Sequence, residues 1–184
     1  MESCETAIDW VPYQVAAGDN LLAIAESIGT TIVEIQEGNC FEPIRGVLAG
    51  EILLLPAIPS FPPATAVPVF PDSLIPPRVF GCESESSRID SPVAMQEIRG
   101  IIQVIGSVRL PENSEFRLDI RPAWSDKYSR YIEGFVSVTD DVIGLINSEV
   151  FGIGLHRLRL SVVDEHGAMS KGAICDVPVI FAAP

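Results

Sequence analysis

The chain has 184 residues, of which 47% are hydrophobic and 20% are charged, and its formal net charge at pH 7 is −13. This composition favours a packed globular protein over a disordered one. The acidity makes nucleic acids and anionic lipids poor partners, because their phosphates would be repelled. The sequence contains no apolar run long enough for a membrane-spanning helix, so membrane insertion is not expected, whereas a neutral ligand is compatible with the charge.

The stretch YQVAAGDNLLAIAESIGTT, residues 13–31, predicts a short strand, a turn and a small helix. Tyr13–Val15 is the strand, and Asp19 or Asn20 caps the helix. Apolar residues then recur at helical spacing until Gly29, which is well placed to end the helix.

A second helix and a second strand are predicted next. Thr31 and Glu34 match a capping box that opens the helix. Glu51–Leu55 is predicted as a strand, which Pro56 stops because proline lacks a backbone N–H.

Residues 57–80 differ in composition from the sequence on either side. They contain seven prolines and only two charged residues, which favours an extended, polyproline-like chain. Their many apolar side chains suggest that part of this segment lies against a domain surface. We therefore predict two domains, 1–56 and 81–184, joined by a proline-rich linker, 57–80.

After the linker, apolar residues alternate with polar ones and turn residues recur regularly. In 156–162 this alternation places His156 and Leu158 on one face and Arg157 and Arg159 on the other. Short strands with regular turns predict an all-β antiparallel sandwich. The predicted strands are Ser87–Ser91, Ile98–Ile105, Glu115–Arg121, Tyr131–Val138, Val142–Ile146, Leu155–Val163 and Ala173–Phe181.

The first 56 residues resemble a LysM module, a small carbohydrate-binding unit of cell-wall proteins and chitin receptors. The resemblance follows the order of the module's elements, with modest departures at Asn20, where threonine is commoner, and in the loop after Asn39. The matching residues are Tyr13-Gln14-Val15, Ala17-Gly18-Asp19-Asn20-Leu21, Ile24-Ala25, Gly29-Thr30-Thr31, Ile35, Asn39, Gly50-Glu51-Ile52-Leu53 and Pro56.

The LysM resemblance implies a βααβ fold whose glycan groove lies between the loop after strand one, 18–22, and the loop after helix two, 39–45. An N-acetylglucosamine polymer offers acetamide groups for backbone and amide hydrogen bonds, and ring faces for apolar contact. The turn and the helix caps explain several of these residue types equally well. The implied glycan-binding residues are Gly18, Asp19, Asn20, Leu21, Leu22, Asn39, Phe41 and Ile44.

Residues 81–184 are similar to the immunoglobulin-like or fibronectin-like sandwiches that accompany such modules in bacterial envelope proteins. The similarity rests on Ile89-Asp90-Ser91-Pro92, on Gly100 with Val104-Ile105-Gly106, and on 158–167. It implies a fold and says little about function, because sandwiches have many roles.

Four cysteines allow three disulfide pairings, and the spacing alone does not select one. The predicted domain division favours Cys4–Cys40 and Cys82–Cys175. The alternative is four free thiols in a cytoplasmic protein. Because the sequence begins without a signal peptide, the preferred hypothesis of an oxidised, exported protein requires a leader that precedes this sequence.

The sequence contains none of the common catalytic motifs, and we expect no enzyme activity, cofactor or metal site. His156 is expected to pack within a strand, and His166 lies in an acidic turn. Trp10 and Trp124 can stack on sugars, although partial burial in a core is the simpler interpretation.

These observations predict an extracellular or cell-envelope protein that binds an N-acetylglucosamine polymer, peptidoglycan or a chitin-like glycan, without catalysis. One alternative is a structural subunit of a surface layer, filament or secretion assembly, with protein contacts or self-assembly through the sandwich and the linker. Another is an accessory domain of a larger enzyme.

Overall fold

The structure is a computed structural model that describes residues 5–42, 44–61, 78–84 and 86–183. The first two ranges form a small unit of two strands and two helices, here called the N-terminal unit. The last range forms two packed β-sheets, here called the sandwich. Most of the predicted linker, residues 62–77, lies outside the described residues, and so does Cys4.

The N-terminal unit has the strand–helix–helix–strand order expected from the sequence. Its strands pair antiparallel, with Tyr13 opposite Leu53. The apolar sides of both helices are buried against these strands, as the helical spacing predicted. The elements are β1 (Val11–Gln14), α1 (Leu21–Ile28), α2 (Ile32–Gly38) and β2 (Ile52–Leu55).

The helix ends form as the sequence predicts, with one difference. Asn20 Oδ1 accepts a hydrogen bond from Ala23 N at 2.9 Å, and Thr31 Oγ1 accepts one from Glu34 N at 3.1 Å. Gly29 ends α1 at a φ of 74°, a left-handed conformation that glycine adopts without strain. The Glu34 carboxylate accepts a hydrogen bond from the hydroxyl of Thr30 at 2.5 Å, and this contact takes the place of the bond to the Thr31 backbone N–H that would complete the capping box.

The sandwich consists of a five-stranded sheet in the order β4-β10-β9-β6-β7 and a three-stranded sheet in the order β3-β5-β8. Both sheets contribute to one hydrophobic core, together with the N-terminal unit. The strands are β3 (Ser87–Ser91), β4 (Glu97–Ile98), β5 (Ile101–Val108), β6 (Ser114–Pro122), β7 (Ser129–Gly134), β8 (Val138–Asn147), β9 (Gly154–Asp164) and β10 (Met169–Phe181).

Three details of the sandwich differ from the sequence prediction. The strand predicted as Tyr131–Val138 ends at Gly134, and the next strand, β8, begins at Val138 instead of Val142. The predicted strand Ile98–Ile105 is divided at Gly100, whose φ is 64°, into β4 and β5. The short β4 pairs parallel with β10, so the sheets are not wholly antiparallel. This pairing arises because residues 92–96 cross to the edge of the larger sheet, where Met95 N donates to Pro178 O at 2.7 Å.

A disulfide joins Cys82 to Cys175 on β10, as the predicted domain division favours. Cys40 is also disulfide-bonded, and its predicted partner, Cys4, lies outside the described residues. The thiol of every cysteine in the described ranges is therefore oxidised, a state compatible with an extracellular location.

Removing the Cys82–Cys175 disulfide is expected to destabilise the sandwich strongly, because the bond closes a segment with a sequence separation of 93 residues. For the double substitution Cys82→Ala and Cys175→Ala, we expect the free energy of unfolding to fall by about 3–5 kcal/mol. Urea unfolding of the wild type and the double variant measures this difference. Equal stabilities would show that the disulfide does not constrain the unfolded chain as proposed.

Candidate functional site

The loop between β1 and α1 is held by its own polar side chains. Asp19 Oδ2 accepts hydrogen bonds from the Tyr13 hydroxyl at 2.6 Å and from Ala16 N at 2.8 Å. Burial, followed by the contact with Asp19, raises the pKa of Tyr13 to about 12. Asn20 caps α1, whereas Gly18 is exposed at the turn. Asp19 and Asn20 therefore stabilise the loop that the LysM resemblance assigns to glycan contact.

Three more of the implied glycan residues have structural contacts. Leu21 and Leu22 are buried in the core. The Asn39 side-chain amide connects α2 to β2 by three hydrogen bonds. Its Nδ2 donates to Ile35 O at 2.8 Å and to Leu54 O at 2.7 Å. Its Oδ1 accepts from Leu54 N at 2.7 Å.

The remaining two residues lie in the loop after α2. The guanidinium of Arg45 lies 3.8 Å from the centre of the Phe41 ring and pairs with Glu51. The carbonyl of Ile44 accepts a hydrogen bond from Asn147 Nδ2 of the sandwich at 2.9 Å. One side of this loop is therefore in contact with the sandwich.

Residues 147–152 of the sandwich reach both loops of the implied groove. Asn147 bonds Ile44, and a Cβ atom placed on Gly46 would lie 3.5 Å from Cβ of Glu149. At the other end, a Cβ on Gly152 would lie 2.8 Å from Nδ2 of Asn20, and the φ of 79° at this position favours glycine. The segment thus lies across the place between the two loops that the resemblance assigns to a glycan.

An open cleft lies beside this contact, between the α1–α2 end of the N-terminal unit and the loop 122–128 of the sandwich. It has a volume of about 1220 Å³ and adjoins a smaller cavity of about 250 Å³. Both cavities are lined by Glu26 of α1 and by Trp124. Trp124 is 59% exposed, so its interpretation as a partial core residue is wrong.

The loop that contains Trp124 is held against the sheet by polar and cation–π contacts. Arg121 Nη1 donates to the carbonyl of Ser125, and the Tyr128 hydroxyl donates to the buried carboxylate of Asp176. The Arg159 guanidinium lies 3.3 Å from the centre of the Tyr128 ring. Arg157 also binds Asp176, at 2.6 Å. These contacts hold both ends of the loop.

The charged groups around the cleft come from both units. Partial desolvation raises the pKa of the Glu26 carboxyl, and the ammonium of Lys127 acts in the opposite direction. Arg130 and Glu133 form an ion pair at the rim. The cleft therefore offers hydrogen-bond donors and acceptors without a strong excess of either charge.

The two histidines have the surroundings expected from the sequence. His156 is buried, stacks on Phe181 at 4.4 Å and approaches the carbonyls of Gly154 and Phe151 at 3.0 and 3.2 Å. His166 is exposed in its turn.

In the described ranges no group of three or more potential ligand side chains could hold a metal ion, and neither helix is long and apolar enough to cross a membrane.

Comparisons of the chain with protein-family models, with curated proteins and with solved structures find no match. The resemblance to LysM modules therefore rests on the residues and on their order. The exposed Trp124 and the contact of 147–152 with the N-terminal unit were missed by sequence reasoning. The sequence did contain a signal for the exposure of Trp124, because this residue lies between Pro122 and Asp126 in a turn between two predicted strands.

Asn39→Ala is expected to lower the free energy of unfolding by about 2–3 kcal/mol, because it removes three hydrogen bonds and leaves polar backbone groups of Leu54 without their partner. Gln14→Ala, which shortens an exposed amide on β1, serves as the control. Thermal unfolding of both variants measures the effect. Equal, small losses would contradict the structural role of Asn39.

Burial lowers the pKa of His156 below its ordinary value of 6.5. The unfolded chain therefore binds a proton more readily than the folded protein, and the stability contributed by neutral His156 is lost as the pH falls below about 6.5. We expect the free energy of unfolding to decrease between pH 7.5 and 5 more steeply in the wild type than in His156→Gln. Urea unfolding across this range tests the difference, and parallel profiles would contradict it.

Proposed function

We propose that the protein is a non-catalytic, exported binding protein of the cell envelope that holds a polysaccharide containing N-acetylglucosamine, peptidoglycan or a chitin-like glycan. The N-terminal unit is proposed to be a LysM module. The observation that carries this proposal is the β1-α1-α2-β2 order with Asn20, Gly29 and Thr31 at the helix ends. These are the positions at which the resemblance to LysM modules requires a turn or a cap.

The charge of the protein supports a neutral ligand. The net charge of −13 opposes binding of nucleic acids and anionic lipids, since their phosphates would be repelled at low ionic strength. An N-acetylglucosamine polymer binds through hydrogen bonds and apolar contact instead. Its retention should therefore depend little on salt, which screens charge interactions.

A structural role is the second candidate, and exposed apolar side chains favour it. Phe135 and Val136, in the turn between β7 and β8, and Ile153, before β9, are each more than 70% exposed. Such side chains can be covered by neighbouring subunits of an assembly. In that case the N-terminal unit would contact protein instead of sugar.

Co-sedimentation with insoluble peptidoglycan and with chitin, at low and at high salt, tests the proposal. We expect the full chain to be retained on at least one polymer, with similar retention at both salt concentrations. Cellulose, which lacks the acetamide group, is the matched control polymer. No retention on either N-acetylglucosamine polymer would reject the proposal, and concentration-dependent ordered assembly without retention would favour the structural role.

A further inference from the structure

Resting on the proposed function, we infer that the glycan binds in a trough between the N-terminal unit and the sandwich, with the indole of Trp124 as its stacking surface. The binding site is then composite, because Glu26 belongs to the N-terminal unit and Trp124 to the sandwich. The resemblance to LysM modules places the glycan site within the N-terminal unit alone, whereas this location also includes residues of the sandwich.

The trough consists of the two adjoining cavities. Their volumes are about 1220 and 250 Å³, and Glu26 and Trp124 line both of them. The larger volume exceeds the range of about 300–1,000 Å³ that is typical of small-molecule pockets. An extended polymer needs a large, open site of this kind. The smaller cavity also reaches Asn20 and Leu22, two of the implied glycan residues.

Trp124 has the properties of a sugar-stacking side chain. Trp124 is largely exposed, and its ring makes no aromatic ring contact within the described part of the chain. Tryptophan combines a large apolar face with a polar N–H, and the apolar face of a pyranose ring packs well on such a surface. Arg121 and Tyr128 fix the loop that contains Trp124, which reduces the backbone entropy lost when a ligand binds.

The polar groups of the trough suit sugar hydroxyl and acetamide groups. The carboxylates of Glu26 and Asp126 can accept hydrogen bonds from hydroxyls and from the acetamide N–H, while Lys127 can donate to sugar oxygens. Opposite charges are interspersed around the trough, so it does not select a charged polymer. A neutral glycan is therefore the ligand that this surface fits.

The contact of residues 147–152 with the N-terminal unit explains why the trough is the open site. Asn147 bonds Ile44 at one end of this segment, and Gly152 lies against Asn20 at the other. A glycan between the two loops would have to displace a segment whose Asn147, Ser148 and Phe151 are buried in the sandwich. The cleft at Trp124 requires no such displacement.

Co-sedimentation of the full chain and three variants with chitin and peptidoglycan tests this inference. We expect Trp124→Ala to weaken binding about tenfold, since it removes the stacking surface. Trp124→Tyr should retain much of the affinity, because a smaller aromatic face remains. Phe135→Ala, which removes an exposed aromatic ring of the sandwich that does not line the trough, should bind like the wild type.

The outcomes separate this inference from the proposed function. If the wild type is not retained, the proposed function fails. If the wild type is retained and Trp124→Ala binds equally well, the composite site is rejected while glycan binding stands. An equal loss in Trp124→Ala and Phe135→Ala would also reject it, because nonspecific apolar adhesion would then explain both. Thermal unfolding of each variant confirms that the fold is retained.

Discussion

The contact between residues 147–152 and the two loops of the N-terminal unit helps to position this unit on the sandwich. The bond from Asn147 to Ile44 and the packing of Gly152 against Asn20 join the two units, and α2 lies beside β7 of the five-stranded sheet. The same contact covers the space between the two loops and leaves the cleft at Trp124 open. A module of about fifty residues has a small core, and the shared hydrophobic core adds to it.

The second constraint is electrostatic and lies on the sandwich side of the cleft. The Asp176 carboxylate is buried and is compensated by Arg157 and by the hydroxyl of Tyr128. Burial without such partners would be costly for a carboxylate. The phenol of Tyr128 is thereby fixed at the end of the loop that bears Trp124. A charge cluster next to the Cys82–Cys175 disulfide therefore anchors one end of the loop that contains Trp124.

Local features were predictable from the sequence, whereas long-range ones were not. The helix caps at Asn20 and Thr31 follow from side chains that can bond the first turn of a helix. The buried face of β9 follows from the alternation of apolar and polar residues. Both signals depend only on residues close in sequence. The bond between Asn147 and Ile44 joins residues 103 positions apart, and no local pattern signals it. For the same reason the sequence could not show that Asn39 binds the backbone of β2, since this contact depends on how separate segments pack.

The composite trough is tested most directly by the two indole N–H resonances of the protein in a ¹⁵N–¹H correlation spectrum, during titration with a soluble N-acetylglucosamine oligomer. Trp10 packs over Gly38 of α2, whereas Trp124 lies at the cleft. If the glycan binds in the composite trough, we expect the Trp124 resonance to shift in a saturable manner and the Trp10 resonance to stay nearly unchanged. Saturable shifts of backbone resonances in 18–22 or 39–45 with an unchanged Trp124 indole would contradict it.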